Sequence, residues 1–186
     1  SPRVFGQSFG GMVAMHFAAR YPARVSKLIL SSTAAQFRLD ETVKIMRKLG
    51  GDRAADVSHR FFSKPSRDAY DAYGEICLPL YSNPNAPEAA GFRERAIERP
   101  EVALHFFSDE MASMDMRTEI ANITCPTLVI GGTLDPVTPT VCSEVITDSI
   151  GKNACLHMFE GCGHGPHRDD PDGAEKVMRR FLASKT

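Results

Sequence analysis

The 186 residues carry no surplus of charge of either sign, since 22 Lys and Arg stand against 23 Asp and Glu for a formal net charge of −1. That balance excludes a protein held to nucleic acid by phosphate contacts, which needs a concentrated excess of cations. Long hydrophobic runs are missing too. The most apolar stretches, residues 28–30 and 127–130, fall far short of the roughly 20 residues a membrane-spanning helix requires, so no membrane partner is expected. The five cysteines (Cys77, Cys125, Cys142, Cys155 and Cys162) include no CxxC pair. An odd, widely spaced set of this kind reads as reduced thiols in a cytosol-like compartment, and a cytoplasmic location is expected. Internal repeats and low-complexity tracts are also lacking. What remains, 42% hydrophobic and 24% charged residues, is the profile of one soluble globular domain.

The chain opens without an initiator Met and enters a β-like run at once, over residues 3–6. This start reads as a cut through a longer polypeptide. A Gly-rich turn follows, then an Ala-rich helix over 12–21 ended by Pro22, then a buried parallel strand over 25–31. From residue 33 to about residue 122 the pattern changes to short amphipathic helices, broken by Gly50-Gly51, Pro65, Pro79, Pro84, Pro87 and Pro100. Two of them, 40–49 and 52–63, open with Asp as an expected N-cap, and Asn83-Pro84-Asn85 reads as a loop. In a third, over 100–111, Val102, Phe106 and Met111 fall at roughly helical spacing, which points to core or pocket wall. Strand and helix then alternate again: a strand over 125–132, a helix over 138–150, a strand over 154–160 and an amphipathic helix over 171–182. The expected fold class is α/β, with core segments at 1–33 and 123–186 and a helical cap at 34–122.

Chemistry-bearing residues follow three of these strands. Gly6-x-Ser8-x-Gly10, between a strand and a helix, has the nucleophile-elbow pattern, in which a turn too tight for flanking side chains exposes the serine above the sheet. A Gly-rich turn that only needs positive φ gives the same letters. A phosphate-binding loop is a weaker reading, since the P-loop lysine and the G-x-G-x-x-G spacing are both lacking. Asp135 follows the third strand in Gly131-Gly132-Thr133-Leu134-Asp135-Pro136 and reads alone as a turn residue or as a carboxylate reaching across the sheet edge. His164 follows the fourth strand in Gly161-Cys162-Gly163-His164-Gly165. With Cys162 and His167 it would make a poor zinc pattern, three ligands within six residues and no second pair.

Taken together, Ser, Asp and His in this order, each after a parallel strand, specify far more than each alone. The segments around them, with Arg20-Tyr21-Pro22-Ala23-Arg24-Val25, Cys125-Pro126-Thr127 and Leu134-Asp135-Pro136-Val137-Thr138-Pro139, resemble the α/β-hydrolase-fold serine hydrolases, in their proline iminopeptidase-like branch. The resemblance spans both ends of the chain and fades across the cap. It implies the C-terminal portion of an α/β-hydrolase fold with an inserted helical cap. It further implies Ser8 as nucleophile, His164 as general base and acid, Asp135 as the group that orients the imidazole, and the Phe9 amide as one oxyanion donor. No metal or organic cofactor is implied. Serine at the elbow argues against the carboxylate-nucleophile dehalogenases and epoxide hydrolases of similar fold. The resemblance also places several strands and a second oxyanion donor before the elbow, on the order of 100 residues at about 30 per βαβ unit. An N-terminal segment or a second chain is therefore expected to complete the sheet, whose first strand would otherwise be an exposed apolar edge.

The resemblance leaves the substrate open. Proline iminopeptidase-like enzymes bind a free amino group with cap carboxylates, for which Glu75, Asp109 and Glu110 are candidates here, though each reads more readily as a solvated helix-face residue. Phe61, Phe62, Phe106, Phe107 and the group Met111, Met114 and Met116 would line an apolar acyl pocket or fill the cap's own core. Two functions remain: a serine hydrolase cleaving a small ester or the N-terminal amide of a short peptide, and a non-catalytic module of the same fold that binds a small molecule or partner.

Overall fold

The computed structural model describes residues 1–83 and 97–184. Four strands, β1 (Arg3–Gln7), β2 (Lys27–Ser31), β3 (Thr127–Gly132) and β4 (Ala154–Phe159), lie in the order β1-β2-β3-β4 with every neighbouring pair parallel. Helix α1 (Phe9–Arg20) joins β1 to β2. Between β2 and β3 come α2 (Leu39–Ser63), α3 (Arg67–Ile76), α4 (Pro100–His105), α5 (Met111–Ser113) and α6 (Arg117–Ile120). Helix α7 (Thr140–Ile150) joins β3 to β4, and α8 (Pro166–Asp169) and α9 (Pro171–Ala183) close the chain. No helix among the described residues is long and apolar enough to cross a membrane.

The two central strands are buried along their whole length, as parallel strands covered on both faces are. Their side chains alternate between two cores. Leu28, Leu30 and Val129 point into one, with Met12, Met15 and Ala18 of α1, Ile120 of α6 and Ile146 of α7. Ile29, Leu128 and Ile130 point into the other, with Phe159 and with Ala174, Val177, Met178 and Phe181 of α9. Among the described residues β1 is an edge strand, and its Phe5 is 49% exposed. Phe9, Val13, Phe17 and Tyr21, at steps of four along and just past α1, are exposed as well.

A third core lies among the helices that precede β3. Met46, Ala54, Phe61, Phe62, Ala69, Tyr73, Cys77 and Met111 form it, with Phe106 and Phe107 packed against it. Met116 and Ile120 belong instead to the core under the sheet.

Several elements differ from their sequence-based bounds. Helix α1 begins at Phe9 rather than residue 12, because the turn at Ser8 launches it directly and packing overrides the poor helix propensity of Gly10 and Gly11. The two expected helices 40–49 and 52–63 are both present, as the two arms of α2, and they part at Gly51 (φ 72°, ψ −170°) as the Gly50-Gly51 break predicts. Neither expected Asp cap forms: Asp40 sits in the first turn after Arg38, and Asp52 accepts a hydrogen bond from Arg47 Nε at 2.8 Å. Ser66, at the start of α3, does cap, its side chain accepting the Ala69 N–H. Helices α4 and α5 are bridged by a wider helical turn, Phe106–Glu110, so residues 100–113 wind continuously. Val102, expected as core or pocket wall, is 60% exposed, while Met111 is buried. The widened turn inside this stretch shifts the phase between its two halves, so one apolar spacing does not map onto one face. Of the expected loop 83–85, Pro84 and Asn85 lie outside the described residues.

Candidate active site

Because all four strands run the same way, the segments leaving β1, β3 and β4 emerge at one edge of the sheet. Ser8 directly follows β1, Asp135 lies three residues beyond β3 and His164 five beyond β4. Ser8 adopts φ 51° and ψ −124°, a conformation L-residues rarely take and one that costs about 1–3 kcal/mol unless its surroundings impose it. They do so from β2: the Ser8 N–H donates to the Ser31 carbonyl at 3.0 Å, and Thr33 Oγ1 donates to the Ser8 carbonyl at 2.7 Å. A Cβ at Gly6 would stand 2.5 Å from the Gly10 carbonyl and 2.8 Å from Ala14 Cβ, so the turn needs that glycine. Gly10 is different. A Cβ there meets nothing within 4 Å, whereas one at Gly11 would collide with Thr33. The close approach that the motif places at Gly10 thus falls one residue later, where α1 passes the end of β2.

The three side chains form one hydrogen-bonded line. Ser8 Oγ is 3.0 Å from His164 Nε2, and His164 Nδ1 is 2.9 Å and 3.0 Å from the two Asp135 carboxylate oxygens. The carboxylate has no exposed surface and the imidazole is 6% exposed. A buried carboxylate is tolerable only when fully hydrogen-bonded. Asp135 Oδ1 accepts the N–H groups of Val137 and Thr138, both at 2.9 Å, and Oδ2 accepts the Thr138 hydroxyl at 2.8 Å. Burial pushes the Asp135 carboxyl up, but the charge and hydrogen bond of His164 and the two amides outweigh it and hold the group below its ordinary value. An ionised Asp135 accepts the Nδ1 proton, which leaves the Nε2 lone pair to accept the Ser8 hydroxyl. That is the arrangement a general base needs.

Other expected site residues fall in different places. The Phe9 amide stands at the first turn of α1, where N–H groups lack intrahelical partners. The Phe9 ring meets Phe106 edge to face at 4.9 Å, which brings the helices before β3 down to the elbow. Phe107 does not share that position. It packs on Phe61 and Phe62 inside the third core. Glu110 is exposed and lies 3.9 Å from His105, and neither it nor the exposed Glu75 and Asp109 bonds to Ser8, Asp135 or His164. Cys162, His164 and His167 do not converge as ligands, since both ring nitrogens of His164 are engaged. Among the described residues no three His, Cys, Asp or Glu are placed to hold a metal ion.

Three contributors escaped the sequence reading. Thr138 was detectable as a hydroxyl three residues after a turn Asp, a spacing that favours a local side-chain bond. Tyr81 carried no such signal: its carbonyl accepts the His164 N–H at 2.6 Å, and its ring stands edge to face on the imidazole at 5.2 Å. Asp169 lies only six residues past Gly163, whose N–H it accepts at 2.7 Å, but no motif marks that local contact in the sequence.

A family model described as serine aminopeptidase, S33, matches residues 2–171. Among curated proteins, the chain is 26% identical to a proline iminopeptidase of Thermoplasma volcanium, over 96% of this chain and 64% of that protein. It is 24% identical to a pimeloyl-[acyl-carrier protein] methyl ester esterase of Photobacterium profundum, over 95% and 68% of the two chains. The chain thus spans about two thirds of the length of these relatives, and 64% in the first case. Among solved structures, 2-hydroxy-6-oxo-6-phenylhexa-2,4-dienoate hydrolase from Rhodococcus sp. strain RHA1 superposes with a TM-score of 0.70 at 20% identity, over 99% of this chain and 64% of that one. An α/β fold family hydrolase from Bacillus anthracis str. Sterne gives a TM-score of 0.64 at 19% identity, over 96% and 66% of the two chains. At such identities the likeness is one of fold, and the parallel sheet with flanking helices is that of the α/β hydrolases over the part this chain spans.

Proposed function

This chain belongs to the serine aminopeptidase family, S33, and from that premise we propose that it acts as a serine hydrolase in which Ser8, His164 and Asp135 are the catalytic residues. The observation that carries the reading is the continuous line from Ser8 Oγ through His164 to Asp135, with distances of 3.0 Å and 2.9 Å. In the proposed reaction, Ser8 Oγ bonds to the substrate's carbonyl carbon while its proton passes to His164 Nε2. The Phe9 amide faces the negative charge that develops on the carbonyl oxygen. The carbon–leaving-group bond then breaks, and the imidazolium returns its proton to the departing oxygen or nitrogen. Water, deprotonated by the same imidazole, cleaves the acyl-enzyme and restores Ser8. Asp135 holds the ring in the required tautomer and stabilises its charged form.

For the substrate we favour a small ester with an apolar acyl group over the N-terminal amide of a short peptide. The Phe9–Phe106 contact supports an apolar surrounding for Ser8. A relative that is a methyl ester esterase is consistent with this preference, and the proline iminopeptidase relatives supply the competing substrate class.

The test is intact-mass analysis after treatment with a fluorophosphonate, with Ser8→Ala as control. A single adduct absent from the Ser8→Ala protein is expected. No adduct on a folded protein would replace the hydrolase reading with the binding module. Among reacting proteins, faster turnover of short acyl esters than of proline arylamides is expected, and the reverse order would move the assignment to the aminopeptidase.

A further inference from the structure

The loop that carries His164 is held from outside the sheet by a strip of the segment between β2 and β3, residues 81–83. Four contacts converge there. The Tyr81 carbonyl accepts the His164 N–H at 2.6 Å. Asp169 Oδ2 accepts two backbone N–H groups, that of Gly163 at 2.7 Å and that of Asn83 at 3.0 Å, so one carboxylate oxygen ties the residue before His164 to the strip. The Asn83 side-chain amide donates to the Gly161 carbonyl at 3.2 Å. The packing leaves no slack, since a Cβ on Gly163 would overlap the Tyr81 carbonyl. On the far side, the His164 carbonyl accepts from Gln7 Nε2 at 3.4 Å and from Arg168. None of these groups touches Ser8 Oγ or the Asp135 carboxylate. They act on the backbone from which the imidazole hangs.

We propose that Asp169 and Asn83 are positioning residues that clasp the strip 81–83 onto the His164 loop and so hold the imidazole in line between Ser8 and Asp135. The physical need is plain. Loops capped by glycines, as this one is at Gly161, Gly163 and Gly165, have many backbone states, and a displacement of about 1 Å in a reacting group costs on the order of 100-fold in rate. The Ser8–His164 bond joins two separate loops and by itself does not set the height of His164 above the sheet. Fixing the amide of His164 and that of the preceding residue does. Because the strip continues from the third core through Tyr81, whose hydroxyl bonds that of Tyr73 at 2.8 Å, the clasp makes the placement of His164 depend on the cap being seated.

The catalytic side of this inference rests on the serine hydrolase reading, and the experiment separates the two. In the full chain, Asp169→Ala, Asp169→Asn and Asn83→Ala are compared with the unaltered protein in three measurements: the rate of fluorophosphonate reaction at Ser8, kcat and KM on a short acyl ester, and the downfield proton resonance of His164 Nδ1–H. Asp169→Ala is expected to slow the reaction by up to about 100-fold, the cost of displacing a reacting group by about 1 Å. The loss falls on kcat with KM little changed, and the Nδ1–H resonance shifts or broadens. Asp169→Asn, which keeps an oxygen to accept both amides, restores most of the rate. Asn83→Ala gives a smaller loss in the same direction, and it decides the matter if Asp169→Ala fails to fold. A folded variant of either residue with unchanged rate and unchanged resonance overturns the clasp, as does a loss confined to KM. Should the unaltered protein not react with the fluorophosphonate, the hydrolase reading fails, and the Nδ1–H resonance alone then tests the clasp, a shift supporting it and its absence overturning it.

Discussion

At the scale of single residues, Asp135 bears the heaviest demand. Its carboxylate is fully buried, and it is tolerated because Val137, Thr138 and His164 together supply its hydrogen bonds. Asp135→Asn keeps the shape but sets an amide N–H against His164 Nδ1 or forces the other tautomer, which turns the Nε2 lone pair away from Ser8. A fall in kcat of about 10⁴-fold is expected, read on the same ester substrate. The lowered native pKa of Asp135 also makes stability depend on pH with a definite sign. The contribution is present in full above the ordinary carboxylate value and is lost as the pH falls through the lower native one. Urea melts between neutral and strongly acid pH should therefore show a steeper acid-side loss of stability for the unaltered protein than for Asp135→Asn; equal slopes would contradict this account.

At the scale of elements, the kink in α2 is the feature with the clearest energetic consequence. Gly51 sits at φ 72° and ψ −170°, a region of backbone space essentially closed to residues with a Cβ. Space is not the constraint, because a Cβ there meets nothing within 4 Å. Gly51→Ala should therefore cost about 1–3 kcal/mol through backbone strain alone, measured as a lowered urea midpoint. A change within error would mean that the two arms of α2 re-form as one straight helix. The break was legible in Gly50-Gly51. How the two arms pack was not, since it depends on Phe61, Phe62 and Met46 meeting in one core with α3.

At the scale of the whole molecule, Lys27 joins the middle of the sheet to the end of the chain. It lies in β2 and is buried, yet its Nζ donates to the carbonyls of Phe181 at 2.8 Å, Leu182 at 3.2 Å and Ser184 at 2.6 Å, closing the last turn of α9. Helix ends leave such carbonyls without partners, and a cation there offsets them. Lys27→Met keeps the aliphatic bulk but removes the cation from the carbonyls of Leu182 and Ser184, while that of Phe181 keeps the Ser184 hydroxyl, with an expected loss of about 1.5–3 kcal/mol in global stability. Hydrogen exchange should show the loss concentrated in α9, and an unchanged melt would mean that water replaces Nζ at no cost.

The alternation of strands and helices and the positions of Ser8, Asp135 and His164 could be read from the residues alone. Burial on both faces writes β2 and β3 as apolar runs, and a turn as tight as that at Ser8 demands a glycine at Gly6, so both leave a local trace. Which remote groups complete the site depends on long-range packing. Thr138 lies near Asp135 in the chain and Asp169 near His164, but Tyr81 and Asn83 are brought to the His164 loop by the packing of helices against the sheet. Their residue types are ordinary for turns and helix ends and mark nothing in isolation. The same holds for Glu110 and Phe107, whose types suited a pocket but whose places were set by which helix face the third core buried. Local chemistry is readable where the backbone itself needs a particular residue. Contacts between segments dozens of residues apart are set by packing, and no local pattern encodes them.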